Sequence, residues 1–264
     1  MTVCIAAICE KGKKAIVVSD RMITAADTEF EQEMPKIEKL TECCAAVSAG
    51  TALARTEIFD SVIDEISKKT SPKIAEVTEC VKSHFVKLRI RRAEEESFKP
   101  LGITVEEFLK RQKDFDDSIV MRLTRSLEQA RLHLRIIIVG VDKAGAHIYY
   151  IRDPGTSEVF DSIGYCAIGS GDRHAEGSLI DNDYTTSWPL KRALYFVYEA
   201  KRRAEKAPGV GQKFTDIVTV SEGRWNMLTE RELKQLNTIF QKKNELQVDV
   251  QKSLESLING LAVY

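Results

Sequence analysis

Apolar residues fill Val3 to Cys9 without a break. The polar turn Glu10-Lys11-Gly12-Lys13 follows, and a second apolar run, KAIVVSD, begins at once. Two short, partly β-branched runs around a glycine-containing turn predict a hairpin over 3–9 and 14–20. PKIEKL at 35–40 and CCAAVSAG at 43–50 read as further strands, and the polar stretch from Met22 to Met34 as a loop. After Gly50 the period changes. Leu53, Ile58, Val62, Ile63 and Ile66 recur at helical spacing until Ser71-Pro72. A second helix, from about 73 to 92, carries Ile74, Val77, Val81, Phe85 and Leu88.

RRAEEESFKPLG is charged and ends in Pro100 and Gly102, where a helix should stop. The next 30 residues are helical again, opened by Thr104 with Glu107 in a capping-box pattern. From Leu134 the strand signal returns. LRIIIVGVD, AHIYYIRD, SEVFDSI and YCAIGSG, separated by turn residues, predict one antiparallel meander. Helices at about 172–182 and 188–206, a strand FTDIVTV, and helix from Thr229 onward complete the pattern; Thr229 and Glu232 form a second capping box. Two strand blocks, each followed by helices, predict an α+β fold. Two sheets stack face to face with helices outside, a four-layer αββα sandwich in a single domain over 1–264. The helical stretch at about 88–132 reads as an insertion and the helices at about 226–260 as a C-terminal extension. The insertion's apolar positions, Phe108, Phe115, Ile119, Val120 and Leu123, are expected to pack on a neighbouring subunit.

Composition narrows the class. The chain is 43% hydrophobic and 30% charged, ordinary for a globular protein with a sizeable core. Its net charge of −1 gives no electrostatic pointer to nucleic acid or an anionic membrane. No apolar run approaches the roughly 18 residues of a membrane span, and the first residues do not read as a secretory signal. Six cysteines lie mostly in apolar stretches with no C-x-x-C pair, which suits small buried hydrophobes in a reducing cytoplasm. No histidine is expected at zinc-ligand spacing. His84, His133, His147 and His174 read as structural, and neither a metal nor a cofactor is expected.

Candidate chemistry begins at Thr2. After removal of Met1, this residue carries a hydroxyl and a free α-amine, a nucleophile and a base whose pKa of about 7.7–8.0 suits neutral pH. Such a site needs a cation to stabilise the alkoxide, a carboxylate to hold that cation, and an oxyanion hole. Asp20 ends the second strand in VVSDRM, Lys36 lies in MPKIEKL, AAVSAG ends a strand where a helix begins, and AIGSGDRHAEG offers Ser170.

In this order the motifs resemble the proteasome β-subunit family of N-terminal nucleophile (Ntn) hydrolases, and are similar to the HslV peptidase and Anbu proteins. The match covers about residues 2–60 and 134–222. The resemblance implies an Ntn fold in which Thr2 is nucleophile and base, Lys36 lowers the amine pKa, Asp20 orients Lys36, and Ser170 joins the proton network at the amine. It puts the oxyanion-binding backbone near Ala46 and Val47. It also implies a peptide or unfolded-protein substrate and a homo-oligomeric ring. The family's late aspartate–serine pair falls on EKAPGVG, which holds neither residue, and Asp216 is a poor substitute. The insertion and the long C-terminal helices stand where they would obstruct ring stacking or an ATPase partner. Two alternatives remain. One is an inactive structural or assembly subunit. The other is a peptide ligase or transamidase that resolves the same acyl-enzyme with an amine.

Overall fold

A computed structural model of the chain describes residues 2–25 and 28–259. Met1, and with it the expected processing step, lies outside the described residues. The first hairpin is β1 (Val3–Cys9) and β2 (Lys14–Ser19), paired antiparallel with Cys4 opposite Ser19. Both strands are buried almost throughout, and their unbroken apolar runs reflect cover on both faces. The predicted loop at 22–34 instead holds a small ribbon, β3 (Met22–Ala25) with β4 (Thr28–Glu31). TEFE in β4 is largely exposed, so it carries no apolar signal for a strand.

The chain continues through β5 (Glu38–Thr41), β6 (Cys44–Gly50), α1 (Ala52–Ile66), α2 (Ile74–Ala93), α3 (Val105–Lys110) and α4 (Asp117–Gln129). Then come β7 (Leu134–Asp142), β8 (Gly145–Arg152), β9 (Thr156–Val159), β10 (Tyr165–Gly169), α5 (Asp172–Asp181), α6 (Leu190–Ala204), β11 (Asp216–Ser221) and β12 (Arg224–Met227). One sheet has the order β10-β1-β2-β11-β12, the other β5-β6-β7-β8-β9. β1 and β2 pack across the core against β6, β7 and β8. Helices α5 and α6 cover the first sheet, α1 and α2 the second. The chain is a mixed α+β protein.

The predicted single meander is split. β7, β8 and β9 stay together, but β10 crosses to the other sheet and pairs with β1, Val3 opposite Gly169. The buried β1 would otherwise leave the backbone groups of one edge without partners.

α2 runs on into a π-helical turn at Glu94–Phe98 and a 3-10 turn ending at Leu101, so the helix stops where Pro100 and Gly102 predict. Both predicted capping boxes form. The Glu107 amide donates to Thr104 Oγ1 at 3.1 Å, and the Thr104 amide donates back to the Glu107 carboxylate at 2.8 Å. Between α3 and α4, Phe115 turns back onto Phe108, ring centroids 5.9 Å apart. Phe98, Phe108 and Leu123 form a small core of their own, with Phe115, Ile119 and Val120 packed against it. Within the chain these positions pack on one another, Phe108 and Leu123 fully buried and Phe115, Ile119 and Val120 in part, where the expectation had a neighbouring subunit cover them.

Contacts divide the chain into two units between Asn226 and Met227. The second holds α7 (Glu230–Ile258), whose N-cap Thr229 forms the other capping box with Glu232. No helix among the described residues is long and apolar enough to cross a membrane.

Candidate active site

Three chain segments converge on one buried carboxylate. Thr2 immediately precedes β1, Asp20 immediately follows β2, and the antiparallel register brings them side by side. Lys36 enters from the segment leading into β5. Thr2 Oγ1 donates to Asp20 Oδ1. Lys36 Nζ donates to Thr2 Oγ1 at 2.6 Å, to Asp20 Oδ1 at 2.9 Å, and to the Met22 carbonyl. All three ammonium protons are thus spent inside the site. All three residues are buried, Asp20 completely. The pair satisfies the requirement that buried charge be matched by charge and hydrogen bonds. Asp20 Oδ2 accepts backbone amides from Val3 at 3.2 Å and Gly211 at 2.8 Å.

The Gly211 bond brings in residues that the sequence reading missed. Lys201 on α6 is fully buried, and its ammonium donates to the Gly211 carbonyl at 3.0 Å and to Glu205 at 2.5 Å. Burial pulls the Lys201 pKa below the usual lysine range, while Glu205 and Asp20 oppose that shift. The Glu31 carboxylate accepts the amides of Gln212, Lys213 and Phe214 at 2.7–2.9 Å. The loop carrying Gly211 is therefore pinned from both sides. Arg21, next to Asp20, grips Asp216 with two bonds of 2.8 and 2.7 Å, tying the end of β2 to the start of β11. Asp216 thus steadies the site through Arg21. The sequence signals were a lysine on the buried face of an amphipathic helix and the adjacent charge in SDR.

Two cavities meet at Thr2. The larger, about 670 Å³, is lined by Gly50, Arg135, Tyr150, Arg152 and Ser170 as well as Thr2. The smaller is lined by Lys36, Ser48, Gly50 and Arg55 with Thr2. Ser170 is at the site, but its hydroxyl is 3.4 Å from the Thr2 carbonyl oxygen. Two glycines permit this close fit. A Cβ on Gly169, at φ +115°, would sit 2.0 Å from the Thr2 carbonyl oxygen. One on Gly50, at φ +121°, would sit 2.0 Å from that of His133. The placement of Ala46 and Val47 gives no support to the oxyanion role expected there. Ala46 and Val47 lie inside β6, where Ala46 pairs with both Glu38 and Ile138 and Val47 with Ile137, and neither lines a cavity beside Thr2. The backbone that borders Thr2 is at Ala49 and Gly50, where the strand ends and its ladder stops.

A competing nucleophile would be Cys4. Its thiol is fully buried and donates to the Ser48 carbonyl at 3.4 Å, and desolvation pushes its pKa up to about 12. It is therefore a neutral thiol near pH 7, inert as a nucleophile.

No family model matches the chain. It is 32% identical over 120 residues to a proteasome subunit beta from Ferroglobus placidus (strain DSM 10642 / AEDII12DO), a stretch covering 44% of this chain and 54% of that protein. The chain spans about half the length of the curated relative it matches.

Proposed function

We propose that the chain is a threonine-type Ntn hydrolase on a proteasome-like four-layer fold, cleaving peptide bonds through an acyl-enzyme on Thr2. The observation that carries this reading is the buried Thr2–Asp20–Lys36 cluster, in which one hydroxyl is held between a carboxylate and an ammonium. The partial similarity to a proteasome β subunit supports the same reading.

After Met1 is removed, the Thr2 α-amine takes the hydroxyl proton as Oγ1 attacks the substrate carbonyl. Lys36, 2.6 Å away, stabilises the developing alkoxide. Asp20 holds Lys36 in place. Backbone amides at Ala49 and Gly50 receive the oxyanion, a contribution worth roughly 10²–10³ in rate per donor in comparable sites. The α-amine then protonates the departing amine, and water releases the acyl group from Oγ1. The two cavities lined by Thr2 give the substrate chain room beside the nucleophile. A homo-oligomeric assembly is the quaternary state that fits the relative's description as a subunit.

Thr2→Ala tests this reading. The variant should fold, since only the hydroxyl and the small γ-methyl of Thr2 are lost, and should cleave no peptide. Peptide turnover near the parent rate would reject Thr2 as nucleophile.

A further inference from the structure

Away from this site, α1 and α2 pack against each other on the outer side of the second sheet. Near their shared end stand Glu65, Cys80 and His84, whose ligand atoms all lie within 4.8 Å of one another. Cys80 and His84 are four residues apart on α2, so they project from one helix face. Glu65 comes from the last turn of α1. His84 Nε2 is 3.0 Å from Glu65 Oε2. Cys80 is buried, His84 is half-buried, and Glu65 is at the surface, which leaves an open approach from solvent. Cys80 and His84 form a Cys-x3-His pair on one helix face, a spacing distinct from the C-x-x-C pairs that are absent from the chain.

We propose that Glu65, Cys80 and His84 form a zinc(II) site that staples α1 to α2, with water as the fourth ligand. One thiolate, one imidazole and one carboxylate form a donor set that suits this borderline-soft ion. In a tetrahedral site with zinc–sulfur near 2.3 Å and zinc–nitrogen or zinc–oxygen near 2.0 Å, neighbouring ligand atoms lie about 3.3–3.6 Å apart. The three ligand atoms here are within about an ångström of that spacing, a gap that side-chain torsions close without moving either helix. Without metal, the thiol and imidazole both turn to the Glu65 carboxylate, which lowers its pKa. Binding replaces that shared acceptor with the ion and releases the thiol proton. The other cysteines do not supply the set, since this is the one group of three such ligands found among the described residues.

Cobalt(II) titration of the purified full-length protein tests the proposal, because a cobalt–thiolate bond gives a near-ultraviolet charge-transfer band and a tetrahedral ion gives intense visible bands. The bands should saturate at one equivalent and disappear when one equivalent of zinc is added. Cys80→Ser should abolish the charge-transfer band. Losing an outer-shell partner costs roughly 10- to 100-fold in metal affinity, so Glu65→Ala, a surface change that leaves the core intact, should weaken cobalt binding by at least that much. No charge-transfer band, or one that survives both Cys80→Ser and Glu65→Ala, would overturn the assignment and leave His84 and Glu65 as an ordinary ion pair. A band that zinc does not displace would reject zinc as the ion.

Discussion

Lys201 reaches Asp20 through one residue. Its ammonium donates to the Gly211 carbonyl at 3.0 Å, and the Gly211 amide donates to the Asp20 carboxylate at 2.8 Å. The carboxylate beside Thr2 is thus aimed by a helix lysine that never touches it. Lys201→Met should lower kcat while leaving KM unchanged, because substrate contacts remain and only the aim of Asp20 is lost. Its stability cost should be roughly 1.5–3 kcal/mol, the usual range for losing hydrogen bonds to a charged group. Steady-state kinetics with urea unfolding checks both. A variant that is less stable yet has an unchanged kcat would make Lys201 structural only.

Gly169→Ala should abolish activity by a different route. Its Cβ would have to occupy space 2.0 Å from the Thr2 carbonyl oxygen, at a φ of +115° that a side chain rarely adopts. Backbone strain of this kind costs about 1–3 kcal/mol, and relief requires the start of β1 to move. Peptide cleavage and thermal unfolding measured on the variant should both fall. Full activity would mean that Thr2 need not be held where it is.

Phe108→Ala should damage the insertion alone. Phe108 meets Phe98 with ring centroids 5.4 Å apart and is fully buried in the small separate core. Removing such a side chain costs roughly 3–5 kcal/mol. Hydrogen exchange should accelerate across 94–129, while β1, β2 and peptide cleavage stay as before. Loss of protection throughout the sheets would join these helices to the main core.

Much of this was legible in the sequence, and what was missed has physical causes. β1, β2, β6 and β7 show as uninterrupted apolar runs because both faces of their sheets are covered. Thr104 and Thr229 announce their helices because a capping box is a local, side-chain-to-backbone device. Thr2, Asp20 and Lys36, which the structure brings together, stood out because they lie at or just outside strand ends. β10 was misplaced because strand order within a sheet depends on partners far along the chain. The exposed β3–β4 ribbon has no apolar pattern to read. Gly211 escaped because its role is a backbone relay, which no residue type advertises; Lys201 showed only as a lysine on the buried face of α6, with nothing to name its partner. Ala46 and Val47 stand inside the strand, away from the cavities lined by Thr2, because sequence alone does not mark where the β6 ladder ends.

Thiol-directed reagents should leave the proposed peptide cleavage intact at neutral pH. Burial holds the Cys4 and Cys166 thiols up at about 12, so neither offers thiolate near pH 7. The sign for stability follows. These thiols ionise more readily in the unfolded chain, so their contribution is complete below the ordinary thiol pKa of about 8.5 and is lost as pH rises from there toward about 12. Urea midpoints should therefore fall between pH 8 and 10, and Cys4→Ala with Cys166→Ala should flatten that fall. Inactivation by iodoacetamide at pH 7 that tracks modification of Cys4 would contradict the burial argument.

The central claim is that Thr2, freed of Met1, is the nucleophile. A peptide bearing a C-terminal vinyl sulfone, incubated with the purified protein, tests it through intact mass and fragment-ion mapping of the N-terminal peptide. The expected outcome is a chain lighter by one methionine, one covalent adduct on the Thr2 hydroxyl, and much slower labelling in Lys36→Ala. A chain that keeps Met1, or an adduct found on a cysteine instead of Thr2, would contradict it.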